Sequence, residues 1–350
     1  MLPLLFDHIG TSGPMPFDDF MELCLYDTDE GFFSAGGVRP GTQGDFVTAP
    51  EVSPLFGELL ARWVNRVRDE SWATIEIGAG SGALLAPLLE AMPDTSAFVV
   101  ERSSSARETI GKLLPSVAIA DSIVDVVAPG AVVILNEVLD NVPTALVRRT
   151  DRGWSEIAVD VDSGALSLVE VPPRDVAVEW ASQHLKDTPV GAMAPVQIAA
   201  GALVESILDT FDEVAICVID YGGSGTELAG RPDDDVVRTY RHQRSGFDYL
   251  AHPGLTDITV DVNTDAIAVL AERFGAKVEV TTQRDFLRSA GADEMLSELR
   301  SSEIAMARSG DVMGQLKARS RTVELRALLD PSGFGAFKVI TIVRKRDTTP

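Results

Sequence analysis

From residue 54 onward the chain switches between two hydrophobic periods. Residues 54–68 place Leu55, Leu59, Trp63 and Val67 at steps of four, which predicts an amphipathic helix. Residues 73–77 read as a short strand, 83–92 as a helix, 97–100 as a strand and 104–114 as a helix. Residues 131–135 read as a third, wholly apolar strand. Strands that alternate with helices, and that are apolar on both sides, imply a parallel sheet covered on both faces. The pattern then breaks. Residues 146–171 alternate apolar and polar positions around Asp151-Arg152-Gly153 and Asp162-Ser163-Gly164, which predicts antiparallel hairpins. A helix is expected over 196–211, and a strand over 214–219 resumes the parallel sheet. A polar Gly- and Asp-rich loop over 222–235 follows. A helix over 265–274 and strands over 277–281 and 336–344 complete the reading. Ahead of all this, 17–26 reads as a short helix and 31–44 as a glycine-rich loop. The expectation is an α/β core sheet with an N-terminal extension and an inserted lobe. Residues 1–70 form the extension and a cofactor-side loop. Residues 71–145 and 212–350 form the core, and 146–211 the lobe. Further insertions fall at about 222–262 and 285–330.

The turn after the first core strand carries the most chemistry. Glu76-Ile77-Gly78-Ala79-Gly80-Ser81-Gly82 lies between a strand and a helix. Glycines allow a sharp turn and the close approach of a ligand to backbone. The helix that follows offers free N–H groups. In such sheets ligands sit at the carboxyl ends of the strands. A dinucleotide is the first alternative, but Gly78, Gly80 and Gly82 do not follow the G-x-G-x-x-G spacing. Glu76 would also repel a pyrophosphate, whereas it would welcome an ammonium group. Glu101 ends the second strand, about 20 residues past the turn, where an acid accepts hydrogen bonds from ribose hydroxyls. Asp121 and Ser122 follow an apolar stretch, where an adenine edge could be read. A lone glycine turn is as often a structural loop. Together with Glu76 and Glu101 it points to a nucleoside ligand with an amino-acid end, S-adenosylmethionine.

Asn136-Glu137-Val138-Leu139-Asp140-Asn141-Val142-Pro143 follows the third strand directly, at the same sheet edge as the turn. Capping and a solvated loop would account for Asp140. They account poorly for Asn136 and Glu137, since polar residues at the tip of an apolar strand usually face a site. Glu137 and Asp140, three apart, would share one side of a helical turn.

Composition narrows the rest. The chain has 350 residues, 45% of them hydrophobic, which suits a globular fold. No apolar run is long enough to span a bilayer. The 30 basic and 53 acidic residues leave a net charge of −23. Such a surface repels phosphate backbones and argues against a nucleic-acid substrate, while a basic protein would be attracted. Cys24 and Cys217 with four His make neither a disulfide framework nor a zinc pattern, so no metal is expected. Residues 1–20 show neither a secretory signal nor an Arg-rich presequence, and a cytoplasmic location is the expectation.

Several short blocks, in order, resemble the MidA-type methyltransferases. They are Cys24-Leu25-Tyr26-Asp27 with Gly31-Phe32-Phe33, and Gly44-Asp45-Phe46-Val47-Thr48-Ala49-Pro50-Glu51 with Phe56-Gly57-Glu58. Asn136-Glu137 with Asp140 and Pro143 is a third, and Asp220-Tyr221-Gly222 a fourth. Thr239-Tyr240-Arg241, Pro253-Gly254 with Asp257-Ile258-Thr259, Gln283 with Phe286-Leu287, and Phe337-Lys338-Val339 continue the series. The resemblance spans nearly the whole chain. It implies a Rossmann-like class I methyltransferase core with an inserted substrate lobe. It also implies S-adenosylmethionine as cofactor and a protein arginine as methyl acceptor. On that reading Glu137 and Asp140, beside Asn136, grip the guanidinium. Gly44, Asp45, Phe46, Thr48, Glu51 and Tyr221 form the loop and substrate side. Phe46 fits a core-packing role better. Departures border the presumed substrate pocket: Ala79 replaces a proline, and Val138-Leu139 and Asn141 replace Phe-Phe and Ala. They leave room for a cofactor-binding assembly factor without catalysis, and inserted lobes of this kind can form homodimer contacts.

Overall fold

The structure is a computed structural model that describes residues 1–34, 48–241 and 244–345. It divides into two compact units, each described separately below.

One unit comprises Val47–Asn136, Thr210–Ile219 and Ala276–Pro350. It is built on a seven-stranded sheet: β1 (Ala73–Ile77), β2 (Ala97–Val100), β3 (Ala118–Ala120), β4 (Ala131–Asn136), β5 (Val214–Asp220), β6 (Lys277–Thr282) and β7 (Lys338–Arg344). The spatial order is 6-7-5-4-1-2-3. Strands β1 to β5 run parallel, and β6 and β7 pair antiparallel. Every residue of β1, and Ala131 through Leu135 of β4, is buried, as both-face coverage requires. The register sets the level of the strand ends. Ile77 lies opposite both Val100 and Leu135, so the residues after β1, β2 and β4 leave the sheet at one edge.

The expected helices of this unit form at Leu55–Val67, Leu85–Ala91 and Ser104–Leu113. Gly57 is a packing residue. A Cβ there would lie 2.7 Å from the Leu84 carbonyl oxygen and from Pro87 Cγ, so only glycine lets the two helices meet so closely. A long pair, Ala292–Ser309 and Val312–Leu328, lies between β6 and β7.

The other unit comprises Met1–Phe46, Glu137–Asp209 and Asp220–Gly275. The hairpins expected over 146–171 are the strands Ala145–Thr150, Gly153–Asp162 and Ala165–Val171, all antiparallel. Met15–Pro16 and Met193–Val196 add to the same sheet. Helices Leu2–Ser12 and Phe17–Tyr26 pack Leu5, Ile9, Phe17, Phe20, Met21 and Leu25 against Leu146, Ile157 and Val159 of that sheet. Arg174 ties the lobe together, donating from Nε to Glu156 (2.7 Å) and from one terminal nitrogen to both oxygens of Asp18 (2.8 and 2.9 Å).

Two expectations of local structure are corrected. The helix read over 196–211 starts at Ile198, because Ala194, Pro195 and Val196 belong to a strand paired with Ala145–Val147. The stretch 222–235 is not a plain loop. It holds the one-turn helices Gly225–Leu228 and Asp233–Val236, the first closed by a reciprocal cap between Ser224 and Glu227.

Candidate functional site

The glycine turn lies at the carboxyl edge of β1. Gly78, Gly80 and Gly82 have φ of 69°, 52° and 77°, values that side chains resist. A Cβ at Gly80 would meet nothing within 4 Å, so the backbone there borders open space. Glu101, the residue after β2, braces the turn: its carboxylate accepts the Gly80 N–H (3.1 Å) and the Ser103 N–H (2.9 Å). Each oxygen keeps a further lone pair for a hydroxyl donor. Glu51 reaches the turn as well. It accepts from Ser81 Oγ (3.5 Å) and caps Thr48 N–H (3.3 Å) at the start of helix Ala49–Val52. Sequence reasoning placed Thr48 and Glu51 on the loop side without seeing this link. Gly44, Asp45 and Phe46 lie outside the described residues.

Glu76 is 3% exposed, and its Oε2 has no hydrogen-bond partner. Burial, reinforced by the charge of Glu101, pushes its carboxyl up to about 8. A buried acid in that condition calls for a cation. Asn136, at the end of β4, completes the edge beside Ile219 of β5. Asp121 and Ser122 follow β3 as expected, but each has local work. Asp121 pairs with Arg107, whose Nε donates to the Glu101 carbonyl oxygen. Ser122 caps the turn Ile123–Asp125, and its N–H donates to Asp125 (3.1 Å).

The other unit holds an acidic group of its own that begins at Glu137. This residue has φ 52°, a left-handed backbone that costs a side-chain-bearing residue energy and gathers at functional sites. The tight turn Leu139–Asn141 follows. Asp220 holds it: Oδ2 accepts the Leu139 N–H (2.9 Å) and the Asp140 N–H (3.2 Å), and Oδ1 accepts the Tyr221 N–H (2.8 Å). Asn141 Nδ2 donates to Asp257 (2.8 Å) and to the Ile258 carbonyl (3.1 Å), while Tyr26 donates to the Asn141 carbonyl (3.1 Å). Asp140 is 3% exposed, and its Oδ1 lacks a partner. Burial, then the charges of Asp220, Asp257 and Asp261, hold its carboxyl well above the usual carboxylate range. Asp261 is paired with Arg231 and Arg238. Tyr221 stacks on Tyr240 at 6.4 Å, with Arg238 5.8 Å from its ring. Among the described residues no three His, Cys, Asp or Glu converge to hold a metal ion.

Sequence reasoning missed the roles of Asp220, Asp257 and Asn141. One signal was present: Asp220 ends the buried strand β5 as Asn136 ends β4, a polar tip on an apolar run.

Residues 55–282 match the model of one family, described as "Putative S-adenosyl-L-methionine-dependent methyltransferase". The mitochondrial protein arginine methyltransferase NDUFAF7 of Mus musculus is 26% identical over 340 residues, covering 85% of this chain and 76% of its own. The Homo sapiens counterpart is 27% identical over 342 residues, covering 85% and 75%. A Burkholderia thailandensis protein solved with S-adenosyl-homocysteine bound superposes with a TM-score of 0.84. It is 31% identical, over 98% of this chain and 91% of that one. The chain belongs to this family of S-adenosylmethionine-dependent methyltransferases. Its β1 edge fits the cofactor: the unpartnered acid of Glu76 suits an ammonium, the glycine turn a close backbone approach, and Glu101 a pair of ribose hydroxyls.

Proposed function

We propose that the chain methylates the guanidinium of a protein arginine, with Glu137 and Asp140 as the acceptor-binding acids. The observation that carries this reading is Asp140, a buried carboxyl with an unpaired oxygen among Asp220, Asp257 and Asp261. Such a group is stabilised by a cation that also donates hydrogen bonds. A guanidinium does both. It stays protonated at neutral pH and offers donors in a fixed fork that matches a carboxylate. The curated relatives above are named protein arginine methyltransferases, which supports the same acceptor.

When bound, S-adenosylmethionine supplies a methyl group activated on a sulfonium. The chain's own residues orient and desolvate. Two carboxylates aim one guanidinium nitrogen and hold its neighbours. Transfer to a guanidinium leaves a cationic product and one proton. Asp140, whose proton affinity is raised by burial and then by its acidic neighbours, is suited to hold that proton. The test is mass spectrometry of arginine-containing and arginine-free proteins incubated with isotopically labelled cofactor. Label on arginine, strongly reduced in Glu137→Ala and Asp140→Asn, is the expected result. Undiminished labelling in either variant sinks the proposed grip.

A further inference from the structure

Asn141 ends the tight turn Leu139–Asn141 and is buried, although its side chain is a polar amide. Burying an amide is costly unless its hydrogen bonds are made. Both hydrogens of its Nδ2 leave the turn. One goes to Asp257 Oδ1 (2.8 Å) and the other to the Ile258 carbonyl (3.1 Å), so the amide holds two successive residues of the strand Asp257–Val260. The Asn141 carbonyl accepts the Tyr26 hydroxyl (3.1 Å) from the end of helix Phe17–Tyr26. Turn, strand and helix, all of one unit, are joined through this residue.

The bond to Ile258 fastens backbone. The bond to Asp257 also acts on charge. Asp257 is 5% exposed, and a carboxylate so deep is costly as an anion. An N–H donor at 2.8 Å favours the ionised form, because a charged oxygen accepts a hydrogen bond more strongly than a neutral one. The amide is itself neutral. It therefore steadies the charge of Asp257 without cancelling it.

The acids around Asp140 are compensated in different ways. Asp261 meets two cations: Arg231 and Arg238 both donate to its Oδ2, at 2.5 and 2.9 Å. Asp220 accepts the backbone N–H groups of Leu139, Asp140 and Tyr221. Asp257 takes the Asn141 amide. After burial, the charges of these three acids raise the proton affinity of Asp140. Asn141 thus touches the acid that bears on Asp140 while lying next to Asp140 in the same turn.

We propose that Asn141 is a positioning residue of the acceptor group. Its amide keeps Asp257 ionised and fixed beside Asp140, so that the group holds a negative charge toward a cationic acceptor. The role rests on the arginine reading above. A double-mutant cycle tests it. Asn141→Leu keeps the size of the side chain and removes both donors, and Asp257→Asn keeps the shape and removes the charge. Each should raise KM for an arginine peptide about tenfold, with kcat much less affected. The double variant should cost no more than either single, because the amide acts through the acid. A merely structural Asn141 gives costs that add. Infrared spectroscopy of the ligand-free protein reads the same role without an acceptor. Asn141→Leu should gain the absorption of a protonated carboxyl, and adding Asp257→Asn should remove it. Circular dichroism and S-adenosyl-homocysteine binding show that each variant is folded. Should Asn141→Leu not fold, Asn141→Asp replaces it. The introduced carboxyl has the same shape but donates to Asp257 only while it holds a proton, so KM should climb with pH, and a KM that follows the parent's overturns the proposal. Costs that add in the cycle, or no gain of a protonated carboxyl in Asn141→Leu, overturn it as well. A parent that labels no arginine removes the acceptor reading, and the infrared result then decides the role of Asn141 by itself.

Discussion

Glu76 is buried, ionisable and has an oxygen without a partner, and on the reading that it meets the cofactor's ammonium its titration ties cofactor binding to pH. An unfolded glutamate titrates near 4.5, whereas this carboxyl is pushed up to about 8. Between those values the folded chain holds a proton that the unfolded chain has lost. Stability of the ligand-free protein from this group is therefore full below about 4.5, declines as pH rises, and is lost above about 8. Glu76→Gln removes the decline. At pH 9 the ligand-free variant should unfold at a higher temperature than the parent, read by calorimetry. The same change should weaken S-adenosyl-homocysteine binding by about tenfold or more, since an ammonium loses its counter-charge. Binding to the parent at pH 7 should release protons, seen as a dependence of the titration heat on buffer ionisation enthalpy. Parent and variant with equal affinity would remove Glu76 from the cofactor site. The sequence exposed Glu76 because an acid inside an otherwise apolar strand is expensive. It offered Glu51 for the loop side but not its link to Ser81, which joins residues 30 apart through a side-chain contact that no local pattern encodes.

At the scale of elements, the turn Leu139–Asn141 depends on a side chain from a distant strand. Asp220 accepts three backbone N–H groups, at Leu139, Asp140 and Tyr221. Asp220→Ala leaves buried donors unmet and should cost about 1–3 kcal/mol by denaturant unfolding. Asp220→Asn keeps one acceptor oxygen and should recover part of that loss. Methyl transfer should fall in Asp220→Ala even where folding is intact, because Asp140 sits on the turn. The core strands other than β3, and the helices Leu85–Ala91 and Ser104–Leu113, were legible in the pattern of apolar positions, whereas β3 has three residues, none of them buried, and was not read as a strand. The lobe's hairpins were legible through Asp151-Arg152-Gly153 and Asp162-Ser163-Gly164. Helices Leu2–Ser12 and Asp175–His184 were not, since each buries only two residues and leaves a faint stripe. The pair Ala292–Ser309 and Val312–Leu328 was hidden for a related reason: its exposed apolar positions blur the contrast between faces. The acidic group was half legible. Glu137 and Asp140 stand in a compact motif, but Asp257 joins them only through the fold.

The whole molecule has a net charge of −23, and on the proposed reading an arginine-bearing protein acceptor approaches that field. Attraction between exposed charges acts over a Debye length of about 10 Å at 0.1 M salt and shrinks as salt is added. Encounter with a basic acceptor is thus assisted at low salt, by steering rather than by contacts at the reacting atoms. The buried carboxyl of Asp140 is far less screened, because bulk ions do not reach it. These two facts separate recognition from chemistry. Raising salt from about 50 to about 500 mM should raise KM for a basic arginine peptide several-fold while kcat changes little. A peptide with the same arginine set among neutral and acidic residues should show a higher KM at low salt and little salt dependence. If both peptides respond alike, the acidic surface has no part in selecting the acceptor, and selection rests on the buried acids alone.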